Sequence, residues 1–74
     1  MKKVDTSGSS SISWARYDEK KKILHIGFAG NDTAYRYKEV SLKEYRELEK
    51  AASKGEYINH HIKPNHEFEK DERQ

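Results

Sequence analysis

The middle of the chain alternates, and then its period changes. In KILHIGFAG, from Lys22, Leu24, Ile26 and Phe28 fall on one side and Ile23, His25 and Gly27 on the other. A period of two is that of a half-buried strand. Upstream, ISWARYD from Ile12 is rich in aromatic and β-branched residues and reads as another strand. Asp18, Glu19, Lys20 and Lys21 form a polar turn between them. Downstream, Gly30, Asn31 and Asp32 make a second turn from residues that accept positive φ. TAYRYKEV then supplies a third strand. Two short turns in succession predict a three-stranded antiparallel meander.

After Val40 the spacing becomes helical. Ser41 stands three residues before Glu44, the signature of a capping box. Leu42, Tyr45, Leu48 and Ala52 share one face, with Lys43, Glu44, Arg46, Glu47 and Lys50 opposite. Lys43 with Glu47, and Arg46 with Glu49, lie within pairing reach. The helix should end between Ser53 and Gly55, because glycine is favoured just past a helix end. In EYINHHIKP, Ile58 and Ile62 sit one turn apart, which predicts a short second helix near Tyr57, stopped by Pro64. Residues 1–10 end in Gly and Ser and read as a flexible lead-in. Residues 64–74 read as a charged, disordered tail, leaving 11–63 as the domain. The expected fold class is α+β: a three-stranded antiparallel β-meander with one main helix and a short C-terminal helix packed on one face.

One helix layer covers one face of a sheet. Tyr35 and Tyr37 share a parity, and the alternative face of their strand carries Arg36 and Lys38, which are costly to bury. The tyrosines therefore belong to the covered side. The predicted core is Leu24, Ile26, Phe28, Tyr35, Tyr37, Val40, Leu42, Tyr45, Leu48, Ile58 and Ile62. A bulge in the first strand lets Ile12, Ala15 and Tyr17 all face inward and turns Trp14 to the open face.

Composition narrows the picture. The 74 residues make one small domain, of a size that buries only about 60% of its extended surface. There is no cysteine, which excludes disulfides and thiolate zinc sites. The N-terminus lacks the apolar run of a signal peptide, and no segment approaches the roughly 20 apolar residues of a membrane span. A soluble cytoplasmic protein is expected. Net charge is +2. Setting aside the final EFEKDERQ leaves thirteen bases against nine acids, so the folded part is expected to be about +4.

The candidate chemistry lies on the open sheet face, where Trp14, Arg16, Ile23, His25, Arg36 and Lys38 gather. Aromatic rings that stack bases, beside cations that meet phosphate, are the means of single-strand binders. The same face also suits plain solvation or a protein partner, including a second copy, burying Trp14 and Ile23. Lys54, with Lys63, adds basic charge at the helix ends, where Asn59 is assigned to local backbone bonding. His60, His61 and His66 cluster near the C-terminus. Adjacent histidines point to different sides of a helix, and His61 with Glu67 is an incomplete zinc set, so no metal and no cofactor is expected. Ser7, Ser9, Ser10 and Ser11 lack an orienting base, no carboxylate pair sits in the core, and no Gly-rich phosphate loop is present. An enzyme is not expected.

The chain also resembles the KTSC domain. This small domain is found at the C-terminus of some lysyl-tRNA synthetases and as free-standing bacterial or phage proteins. The likeness is carried by RYD at Arg16–Asp18, LHIGF from Leu24, YRY from Tyr35, the stretch from Val40 to Tyr45, and SKGEYINHHI from Ser53. It spans roughly 11–62. It implies an RNA-binding role and no catalytic activity. Here the domain is expected to stand alone, with an acidic tail and no synthetase body. The expected function is thus a small non-catalytic module binding RNA or single strands through Trp14, Arg16, His25, Arg36, Lys38 and Lys54. The alternative is an interaction adaptor, phage-encoded or homodimeric, using the same face.

Overall fold

The computed structural model describes residues 1–30 and 33–72. Asn31 and Asp32 of the expected second turn, and the last two residues of the expected tail, lie outside them. The fold is α+β, as expected, but its sheet has five strands rather than three. They are β1 (Lys2–Val4), β2 (Ile12–Asp18), β3 (Ile23–Phe28), β4 (Thr33–Tyr37) and β5 (Phe68–Glu72). All neighbours are antiparallel, in the order β1-β2-β3-β4-β5. Between β4 and β5 come α1 (Leu42–Lys50), α2 (Lys54–Tyr57), a π-helical turn (Ile58–Ile62) and α3 (Lys63–Asn65).

The two added strands correct the reading of both ends. The lead-in carries β1 and the tail carries β5. Each sits at a sheet edge and contributes little apolar area: in β1 only Val4 is buried, and Phe68 of β5 stays 48% exposed. Backbone pairing and facing charges hold such strands, and hydrophobic alternation does not announce them.

The three central strands follow from burial. The pairing shifts between Ile12 and Trp14. This bulge brings Ile12, Ala15 and Tyr17 inside together, with Leu24, Ile26 and Tyr37. Phe28, Tyr35 and Leu42, expected in the core, pack at its margin and stay partly exposed. The Tyr17 ring stacks on Tyr45 at 4.7 Å, and its hydroxyl donates to the Val40 carbonyl at 2.5 Å, so the buried oxygen has a partner.

The capping box forms: the Ser41 hydroxyl accepts from the Glu44 N–H at 3.2 Å, and a Glu44 carboxylate oxygen accepts from the Ser41 N–H at 3.0 Å. The helix buries Tyr45 and Leu48. It ends at Lys50, earlier than the glycine signal suggested. Ser53 is used instead to cap α2, its hydroxyl accepting from the Glu56 N–H at 3.3 Å. Gly55 lies inside α2 rather than past α1, and a Cβ there would overlap the Ser11 hydroxyl. Glu47 and Glu49 accept from the hydroxyls of Tyr57 (2.9 Å) and Tyr45 (3.0 Å), not from the lysine and arginine the spacing offered.

Pro64 does not stop the second helical run, which continues to Asn65. The Lys63 N–H reaches back five residues to the Ile58 carbonyl. The widened turn accommodates the missing proline donor. Asn65, rather than the exposed Asn59, bonds the local backbone, donating to the His61 carbonyl at 2.7 Å.

Candidate functional site

The open face is organised as one row across the whole sheet. Pairing sets Lys3 opposite Arg16, Arg16 opposite His25, His25 opposite Arg36, and Arg36 opposite Glu69. Directly opposed Cβ atoms in such a row stand about 4.5–5.5 Å apart. Trp14 lies beside the row. Its indole crosses Gly27, where any Cβ would overlap it. Ala34, opposite Gly27, is also buried although it faces the open side. The Arg16 guanidinium stands 5.5 Å from the Trp14 ring centre, a cation–π contact.

The charge of this row differs from its composition. Burial, and then the neighbouring Arg36 charge, hold the His25 imidazole below its ordinary range. At neutral pH His25 therefore offers hydrogen bonding and a ring, not a further positive charge. At the β5 end Glu69 stands 3.6 Å from an Arg36 guanidinium nitrogen and 3.3 Å from the Lys38 Nζ. The acidic C-terminal segment is thus part of the folded unit, and an excess of +4 does not describe this face.

Five of the six sequence-derived site residues gather here: Trp14, Arg16, His25, Arg36 and Lys38. Lys54 does not. It opens α2 in the helix layer, beside the 8–11 loop and Ser53. Two members of the face escaped the sequence reading. Lys3 precedes a lone apolar Val4, and Glu69 lies in a stretch with one apolar residue. The available signal for Glu69 was its charge, complementary to the basic positions of β4.

A second polar cluster joins α1 to the β4–β5 end. The ring nitrogens of His66 stand 2.8 Å from the Lys38 carbonyl oxygen (Nδ1) and 2.6 Å from a Glu44 carboxylate oxygen (Nε2). His61, stacked on Tyr57 at 4.8 Å, stands 3.3 Å from the same Glu44 oxygen, so its carboxylate neighbour is Glu44 and not Glu67. Burial raises the Glu44 carboxyl, but hydrogen bonds from Ser41 and His66 and the His66 charge outweigh it, leaving it below the usual glutamate range. Among the described residues no three such side chains are arranged to hold a metal ion. No helix among them is long and apolar enough to cross a membrane.

The model of the KTSC domain matches residues 8–68. Among solved structures, a KTSC domain protein of Yersinia pestis superposes with a TM-score of 0.79 at 28% identity, over 85% of this chain and 87% of that one. No curated protein sequence matches the chain.

Proposed function

The chain belongs to the KTSC domain family, and within that family we propose that it is a small, non-catalytic cytoplasmic module that binds RNA or another single-stranded nucleic acid through its open sheet face. One observation supports this above the others: Lys3, Arg16, His25 and Arg36 fall in one cross-strand row with the half-buried Trp14 beside it. A row of donors over adjacent strands suits a phosphate backbone, and the Trp14–Arg16 pair suits an unstacked base. Lys38 borders the row, while Lys54 is left out of this site.

Fluorescence anisotropy with mixed-sequence single-stranded RNA and DNA at low salt tests the reading. Binding should weaken steeply as salt rises. Arg36→Glu with Lys38→Glu should abolish it, and Glu69→Gln should strengthen it by removing a negative charge beside those two cations. Absence of binding at low salt, together with a dimer in light scattering, would move the assignment to the adaptor reading, for which the half-buried Ile23 and Trp14 on the same face would form the contact.

A further inference from the structure

The covered side of the sheet is not covered to its edge. Past the core, Phe28, Tyr35, Tyr37 and Phe68 line an open cleft of about 390 Å³, together with Lys63 and Lys70. The rings are ordered with respect to one another. Phe28 meets Tyr35 edge-on at 5.2 Å, Tyr35 and Tyr37 run near parallel at 6.4 Å, and Phe68 tilts against both at 5.6 Å. Lys63 Nζ stands 4.8 Å from the Phe28 ring centre and Lys70 Nζ 5.9 Å from that of Tyr35. Among the described residues these two ammonium groups meet rings, not carboxylates, and no acid lines the cleft.

We propose that this cleft binds a nucleotide unit, with the base stacked on Phe68 and Tyr35 and the phosphate held by Lys63 and Lys70. The volume falls in the range of small-ligand pockets. Exposed aromatic faces accept any base, because every base has a π-face. Lysine carries its charge on a flexible stem, so both ammonium groups can turn from ring to phosphate without moving the backbone. A neutral apolar ligand, or an uncharged sugar stacked on the rings, would leave two cations unused. The cleft lies on the opposite side of β4 from Arg36, so this site is independent of the sheet-face reading. The nucleotide can come free or as one unit of a single strand.

Titrating the full chain with adenosine monophosphate, ribose 5-phosphate and a short single-stranded oligoadenylate, followed by aromatic NMR shifts, tests the site. The Phe28, Tyr35 and Phe68 resonances should move with the mononucleotide and with the oligonucleotide. Phe68→Ala should weaken mononucleotide binding about 5- to 140-fold, the loss of one stacked base. Because Phe68 also anchors β5, the exposed pair Lys63→Glu and Lys70→Glu provides a second reading, expected to weaken binding about tenfold or more. The Arg36→Glu, Lys38→Glu variant should leave the mononucleotide shifts unchanged. If that variant alone abolishes oligonucleotide binding and the mononucleotide moves no cleft resonance at millimolar concentration, the cleft assignment fails while the sheet-face reading stands. Ribose 5-phosphate binding as tightly as the nucleotide, or an acidic peptide displacing it, overturns the assignment as well.

Discussion

On β4, Tyr37 is 1% exposed beneath the helices, while Arg36, its neighbour in sequence, stands partly exposed beside Glu69 on the other side. The same strand serves two regimes. On the covered face, stabilisation comes from apolar area removed from water, which has no direction and asks only that the right residues face inward. On the open face it comes from specific partners: a carboxylate for Arg36 and Lys38, a glycine beneath Trp14, a guanidinium beside it. The first regime tolerates ignorance of the partner strand. The second is defined by it.

Substitutions should separate the two regimes, the largest effects falling on the covered side. Leu48→Ala, at a fully buried position, should cost about 2–5 kcal/mol in urea unfolding. Arg36→Ala should stay within about 0.5 kcal/mol, as open-surface changes do. Equal costs for the pair would contradict the division. Gly27→Val probes a packed spot on the open side. Its side chain must displace the indole, so stability should fall by about 1–3 kcal/mol and Trp14 emission should move to the red. An unchanged emission spectrum would mean that Trp14 does not rest on Gly27.

A smaller effect concerns the cluster that joins the helix layer to the sheet. The folded-state Glu44 carboxyl is depressed relative to the unfolded chain. Its contribution is then present above the unfolded value, about pH 4.3, and is lost as pH falls through the lower folded value. Urea midpoints measured from neutral to acid pH should fall across that window. The fall should be shallower in Glu44→Gln, and an identical pH profile for the two proteins would remove Glu44 from the account. An effect of the same small order as that of Arg36→Ala belongs to Glu69→Gln. The exposed pairs with Arg36 and Lys38 should be worth no more than about 1 kcal/mol, a difference that should vanish in about 1 M salt, where the screening length is near 3 Å.

The division also explains what was legible in the sequence. Parity assigned Leu24 and Ile26 to the core, parity and the cost of burying Arg36 and Lys38 assigned Tyr37, and the bulge expected to bring Ile12, Ala15 and Tyr17 inside together is one that the pairing contains. The Ser41–Glu44 box marked the start of α1 because both of its bonds are local. What escaped was non-local. β1 and β5 carry too little apolar area to produce a period, and their partners lie far along the chain. Gly55 resembled a helix terminator because the sequence cannot display Ser11 against it. Pro64 resembled a stop because the compensating π turn arises upstream of it. For the open face, composition supplied the cations, but the anion that meets them arrived with a strand that looked like a tail. The aromatic cleft was hidden for the same reason, since Phe68 and Lys70 belong to β5.

His66 draws together the Lys38 carbonyl and the Glu44 carboxylate, two groups from opposite layers of the fold. In a chain without cysteine, one imidazole ring thus ties the two layers by hydrogen bonding alone. A staple of this kind is indifferent to the redox poise of its surroundings, with no enzyme needed to form it or to repair it.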